Sequence, residues 1–445
     1  MGIDQIQANK TGIKQLTEPG AQSIAAPSPA LNELSGGGIT EDFDGDGYLD
    51  IMTSSLGFKD QMRLFHNNAD GTFTDVTVKA GLTGETGGLN MIQGDYITVN
   101  AFVKGVTAGD FNNDGRPDLY ISVRGRPNIL LRNDGPQAAS EGSKSNWKFT
   151  DVALAAGVRL PINSFPCWFF DYDNDGWQDL FVSGYQITGV GDVAADYMGL
   201  PHKAERARLY RNNRDGTFRD VTRELGLYKL LHAMGSNFGD LDNDGFLDFY
   251  LGTGDPDLAT LIPNRMFRNA SGTNFVEVTY SGGFGNLQKG HAVAFADLDN
   301  DGDQDVYIDM GGAFSGDVYP NVLYENPGHG NHWLTLKLEG TKANRAAIGA
   351  RIAVTVATPE GDRVIRKSVG SGGSFGASPL RQEIGMGNAT SIKSVEVAWP
   401  SSSPKQVFTG LELDRIFHLT EGNPMARVVH LKTLRFQQSH PAHHH

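Results

Sequence analysis

The stretch GVTAGDFNNDGRPDLYISV, residues 105–123, contains the pattern from which the fold can be read. A short apolar run leads into Asp110, Asn112, Asp114 and Asp118, with Gly115 between the third and fourth, and the alternating run DLYISV follows at once. Oxygen-bearing side chains at relative positions 1, 3, 5 and 9, with glycine at 6, let a tight loop wrap one hard cation, and a carbonyl at position 7 adds another oxygen. Carboxylates packed that closely repel one another unless a cation neutralises them. The spacing predicts a calcium loop joining two β-strands.

The pattern recurs at intervals of 57 to 69 residues. The other four copies are Asp42, Asp44, Asp46 and Asp50; Asp171, Asp173, Asp175 and Asp179; Asp240, Asp242, Asp244 and Asp248; and Asp297, Asp299, Asp301 and Asp305. Their position-6 glycines are Gly47, Gly176, Gly245 and Gly302. One such loop alone would read as an ordinary Asp/Gly turn. Five at the same place in a repeat predict about five bound Ca2+ ions. An EF-hand is excluded, because its bidentate Glu at position 12 is replaced by Thr53, Ile121, Val182, Leu251 and Ile308, all inside strand-like runs. Magnesium suits the loop less well, since a shell built mostly of protein ligands favours the larger ion.

Around each loop the repeat has four strand-like parts: an apolar run, the alternating run after the loop, a third run ending in Asn (RLFHNN, ILLRND, RLYRNN, RMFRNA, VLYENP), and a phrase such as GTFTDVT, residues 71–77. Four short strands joined by tight turns make one blade, and blades that cannot bury both faces alone stack radially. The expectation is an all-β chain: a β-propeller over residues 39–328 with five visible blades, five to seven remaining possible, followed by a small β-sandwich over 329–422. Residues 1–38 form an N-terminal segment in which IKQLT, residues 13–17, would supply the ring-closing strand. Residues 423–445 form a tail that ends in His443, His444 and His445, a possible tag remnant.

Composition narrows the function. With 52 acidic against 38 basic residues the formal net charge is −14, which argues against a nucleic-acid partner. Nineteen of the acids are the loop aspartates, so much of this charge belongs to the metal loops. No run of eighteen apolar residues is present, so no membrane span is expected. Cys167 is the single cysteine, which excludes an internal disulfide or a thiolate cluster. The N-terminus lacks the basic start and apolar core of a secretory leader.

These units resemble the FG-GAP or VCBS repeats of integrin-α-type propellers. The last quarter of the chain is similar to the ASPIC/UnbV domain of the cartilage acidic protein family, through NHWLTLKLEG (331–340), NRAAIGARI (344–352), GSGGSFGASP (370–379), LRQEIGMG (380–387) and VEVAWPS (395–401). The resemblance implies a calcium-dependent binding or adhesion module, secreted or at the cell surface. A cytoplasmic location stays open because this sequence shows no signal peptide.

In a propeller, the loops between first and second strands share one face. The long inserts at 81–104, 185–208, 252–265 and 310–320 therefore fall on the opposite, top face, where a protein, glycan or small-molecule ligand is expected. His232 and His291 precede the innermost strands of their blades and would point toward the central mouth. Lys104, Asn163, Arg208 and Lys289 share that loop class, so the group could bind an anion or, in the alternative reading, serve a calcium-dependent enzyme of a biosynthetic pathway as acid and base. The bland reading is that each histidine caps a strand by hydrogen bonding to a neighbouring blade. No nucleophile elbow, Walker loop, dinucleotide fingerprint or His-Glu-x-x-His run supports an enzyme. Trp168, Trp177, Tyr185 and Tyr197 could stack on a sugar, although aromatic residues in blades are usually core. GSGGSFG reads as a flexible turn; it lacks the strand-to-helix setting and the lysine of a phosphate cradle.

Overall fold

The computed structural model describes residues 37–54, 62–82, 102–136, 147–187, 189–254, 262–311, 319–373, 375–400 and 405–436. The proposed closing strand at 13–17, the greater part of the inserts at 81–104 and 310–320, the middle of the insert at 252–265 and the terminal histidines lie outside them, whereas the insert at 185–208 is described except for residue 188 and holds a helix, Val190–Tyr197.

Five antiparallel sheets follow in tandem. The first holds β1 (Gly38–Glu41), β2 (Asp50–Thr53), β3 (Arg63–Asn67) and β4 (Phe73–Asp75). The second holds β5 (Phe102–Gly109), β6 (Asp118–Arg124), β7 (Ile129–Pro136) and β8 (Trp147–Asp151). The third holds β9 (Ser164–Phe170), β10 (Asp179–Gly184), β11 (Arg208–Asn212) and β12 (Phe218–Asp220), and the fourth β13 (Ala233–Gly239), β14 (Asp248–Thr253), β15 (Arg265–Asn269) and β16 (Phe275–Glu277). The fifth has three strands, β17 (Gly290–Ala296), β18 (Asp305–Met310) and β19 (Val322–Tyr324). Each acidic loop connects the first and second strand of its blade, as the spacing predicts.

The alternation of strand residues explains why the sheets stack. Leu119 and Ile121 pack toward the first blade with Ile39, Met52 and Leu64. Tyr120, between them, packs toward the third with Cys167, Phe169 and Leu180. The same division places Trp168, Phe170 and Phe181 against Phe249 and Phe267, and Tyr250 and Met266 against Val293, Phe295 and Ile308. A residue period of two thus gives each blade two apolar faces, one for each neighbour. The first strands approach closely enough along the axis that a Cβ on Gly235 would lie 1.1 Å from the His291 carbonyl oxygen. Among the described residues, no apolar cluster joins the fifth blade to the first.

Eight strands make the C-terminal part: β20 (His332–Glu339), β21 (Arg351–Thr358), β22 (Gly361–Ser368), β23 (Gln382–Gly387), β24 (Ser391–Ala398), β25 (Gln406–Phe408), β26 (Arg415–Thr420) and β27 (Arg427–Val429). They form two four-stranded sheets, ordered β23-β20-β26-β27 and β22-β21-β24-β25. Leu334, Leu336, Val354, Ile365, Val395, Val397 and Phe417 fill one core between them. The segment read as sandwich, 329–422, holds seven of these strands. The eighth, β27, lies past residue 422 in the stretch read as tail and pairs with β26.

Candidate functional site

The five acidic loops repeat one hydrogen-bond scheme. The position-9 aspartate is buried, and each of its oxygens accepts a backbone N–H. In the third blade Tyr172 and Asn212 donate to Asp179 at 3.3 and 2.8 Å. In the fourth, Leu241 and Asn269 donate to Asp248 at 2.8 and 2.7 Å. Asp50, Asp118 and Asp305 are held in the same way. The position-1 aspartate accepts the N–H of the position-6 glycine in the first four loops, at 3.0, 2.7, 2.8 and 2.8 Å. That glycine has φ between 88 and 100° in all five, a region that side chains avoid.

Position 4 is a feature that sequence reading passed over. It is Gly45, Asn113, Asn174, Asn243 or Asn300, each left-handed with φ from 54 to 74°. Asparagine tolerates that conformation and supplies an amide as well. Asn113, Asn174 and Asn243 donate to the carbonyl of Gly176, Gly245 and Gly302 in the next blade's loop, at 3.3, 2.7 and 3.1 Å. The recurrence of Asn before Asp-Gly in four loops was the available signal. The third-strand asparagines form a second tie. Asn133, Asn212, Asn269 and Asn326 donate to the position-2 carbonyl of the preceding loop at 2.7 to 2.8 Å.

The carboxylates converge. Oxygens of Asp42, Asp44 and Asp46, of Asp171, Asp173 and Asp179, of Asp240, Asp242 and Asp248, and of Asp297, Asp299 and Asp301 lie within 4.8 Å of one another in each set. His66 joins Asp44 and Asp50 in a further set. In the second loop, where Asn112 replaces an aspartate, Asp114 turns to Arg116 and Asp110 to Arg351. Burial pushes Asp240 up to about 7 against the opposing pull of the Lys367 ammonium, and burial followed by the neighbouring Glu383 charge pushes Asp297 up to about 6. Burial likewise raises Asp42 to about 6 and Asp171 to about 7. Asp42 Oδ1, Asp173 Oδ1, Asp242 Oδ1 and Asp297 Oδ2 are buried acceptors without a hydrogen-bond donor. Arg211 and Arg214 meet Asp173 and Asp175, and Arg268 meets Asp242, in the third and fourth loops. At the positions of Arg211 and Arg268 the first blade has His66, in β3, and the fifth has Glu325, directly after β19. An array of hard oxygen donors with unsatisfied buried lone pairs fits a divalent cation.

The C-terminal sandwich covers this face. Arg363 donates to the Asp244 carbonyl at 2.6 Å, Arg366 to the Asn174 carbonyl at 2.7 Å and Arg381 to the Asp297 carbonyl at 2.6 Å. Leu49 of the first loop packs on the sandwich core. Leu434 N donates to the Asp299 carbonyl at 2.7 Å. More than fifty residues separate each pair in the chain, so no local pattern announced them. A cavity of about 550 Å³ remains between the two parts, walled by Asp42, Asp110, Trp168, Arg351 and Lys367 among others.

At the opposite ends of the first strands lie the residues proposed for the mouth. Lys104 is buried with its ammonium 5.0 Å from the Phe165 ring centre. Phe165 meets Tyr185 edge-on at 5.0 Å, and Tyr185 stacks on His232 at 4.5 Å. Lys104 and His232 thus share one aromatic cluster. His232 is 1 % exposed, a core position. His291 lies inside β17 rather than before it, and its Nε2 is 2.6 Å from the Gly311 carbonyl of the same blade. The contact stays within the blade, whereas the capping reading expects a neighbouring one. Lys289 is buried one residue before β17. Asn163 bonds Gln186 at 2.7 Å. Arg208 turns outward to Asp220 on the outermost strand, at 3.2 Å. Trp168 stacks on Phe181 at 4.2 Å as core, whereas Tyr197 is exposed.

The chain matches the FG-GAP-like repeat model over residues 42–121, 110–182 and 191–251, and the ASPIC and UnbV model over 340–425. It belongs to the FG-GAP-repeat proteins that carry an ASPIC and UnbV domain, the cartilage acidic protein family. Cartilage acidic protein 1 of Mus musculus is 25% identical over 313 residues, 66% of this chain and 44% of that protein. Its Homo sapiens counterpart is 26% identical over 242 residues, 52% of this chain and 30% of that protein. The chain therefore spans less than half the length of these relatives. A Trypanosoma rangeli sialidase superposes with 9% identity over 87% of this chain and 61% of its own, at a TM-score of 0.23, which bears on neither fold nor activity. No helix among the described residues is long and apolar enough to cross a membrane.

Proposed function

We propose that this protein is a calcium-dependent binding module that works outside the cell or at its surface, with Ca2+ in the five acidic loops and its ligand on the opposite face. The observation that carries the reading is the coincidence, at one end of the blades, of buried donorless carboxylate oxygens in four of the five loops with a sandwich that covers them. Ions there stabilise the scaffold, and the face left for a partner is the one at the other ends of the first strands, where Lys104, Tyr185 and His232 lie. The cartilage acidic proteins to which the chain is similar agree with an extracellular place. Calorimetric titration of the chelator-stripped chain with calcium tests the metal half. About five equivalents should bind, with magnesium much weaker; no heat and no protection at about 1 mM calcium would sink it.

A further inference from the structure

The connection between β22 and β23 does not behave as a free turn. Residues 370–373 and 375–379 run from the sandwich into the axis, between the first strands of the blades. Ser236 and Val293, on different blades, both donate their N–H to the Phe375 carbonyl, at 3.4 and 3.2 Å. Asn237 donates to Ser378 Oγ at 3.0 Å. Gly376 lies so close that a Cβ there would sit 2.0 Å from the Ser236 carbonyl oxygen. The Phe375 ring reaches Phe165 edge-on at 5.1 Å and completes the cluster of Phe165, Tyr185 and Met234. A glycine-rich run suits this task because the channel has room for backbone but little for side chains.

Both strands that hold this segment are fastened to acidic loops. β22 carries Arg363 and Arg366, bound to the Asp244 and Asn174 carbonyls. β23 carries Glu383, which accepts from Asp297 N at 3.1 Å, Gly385, which donates to Asp240 Oδ2 at 3.1 Å, and Gly387, which donates to the Asn243 carbonyl at 2.8 Å. Arg363 and Arg366 contact loop carbonyls, so they do not compete with a cation for the carboxylates. They read the loop's backbone, whose shape depends on whether its clustered negative charges are neutralised.

We propose that the 370–379 connection is a metal-set axial plug: divalent ions in the third, fourth and fifth loops fix the loop carbonyls, the Asp240 carboxylate and the Asp297 N–H that hold β22 and β23, and Phe375 then forms the floor of the mouth on the far face. The inference rests on calcium occupying the loops. It makes the shape of the ligand mouth depend on ions bound at the other end of the blades, through one covalent connection of this chain.

Hydrogen exchange of the full chain, with about 1 mM calcium or with excess chelator, tests this by mass spectrometry of peptides covering the loops, 233–239, 290–296, 369–380 and the sandwich core at 351–358. Removing calcium should speed exchange by about tenfold or more in 369–380 and in the inner strands that donate to Phe375, with 351–358 unchanged. An Arg363→Gln, Arg366→Gln double variant should show the same loosening in calcium while still binding the full complement of ions. If the loops lose protection on chelation but 369–380 does not, the coupling is wrong and the calcium reading stands. If nothing responds to calcium, both fall.

Discussion

Stripped of divalent ions, the protein should become less stable as pH rises from about 5 to about 8, the reverse of its behaviour in calcium. Asp42, Asp244, Asp297 and Asp305 are raised to about 6, and Asp50, Asp171 and Asp240 to about 7, with burial the largest cause in every case. An unfolded aspartate titrates near pH ~3.9, so between the two values the folded state binds more protons, and raising the pH weakens it. The penalty is absent below the unfolded value and complete above the folded one. One pK unit corresponds to about 1.36 kcal/mol; allowing for mutual relaxation, each loop loses about 1 to 3 kcal/mol across the window. With an unfolding entropy of about 0.9 kcal/mol per degree for a chain of this length, these four loops lower Tm by about 4 to 13 °C. Asp75, Asp134 and Glu277 are held below their ordinary range by hydroxyl and cationic partners, so they titrate below this window. With calcium present the ions replace the protons, each adding about 2.7 kcal/mol when free calcium is about a hundredfold above Kd, and proton competition makes Tm climb from pH 5 to pH 8. Differential scanning calorimetry in chelator and in calcium reads both slopes. A chelator-treated Tm that stays level or rises with pH refutes the electrostatic account of the loops.

Replacing Asn212 with Ala removes donors to the Phe111 and Gln178 carbonyls at 2.8 and 3.0 Å and leaves buried acceptors unpaired; denaturant titration should show a loss of about 2 to 4 kcal/mol, and a loss below about 0.5 kcal/mol would mean the third-strand asparagines do not staple the blades. Cys167 is 1 % exposed and burial pushes its thiol up to about 12. An aromatic disulfide reagent at neutral pH should therefore leave the folded chain unmodified and titrate one thiol after denaturation, and rapid labelling of the native protein would contradict its place between the second and third blades.

Local chemistry decided what could be read from one dimension. A loop that places Asp, Asp, Asp and Asp at positions 1, 3, 5 and 9 closes on itself, so Asp240 and Asp248 meet whatever the rest of the chain does. The alternation of Leu119, Tyr120 and Ile121 likewise assigns its two faces within a few residues. Tertiary structure alone decided how these parts act on one another. Arg363 and Arg366 lie more than a hundred residues from the loops they hold. His232 entered the aromatic core because Tyr185, from another blade, covers it. The run 370–379 has the composition of a turn, yet its Phe375 carbonyl is held by Ser236 and Val293 of two different blades, at a place where Gly376 has no room for a side chain. Sequence periodicity encodes contacts across a few residues; the occupant of a channel depends on the distance between blades, which no local pattern states.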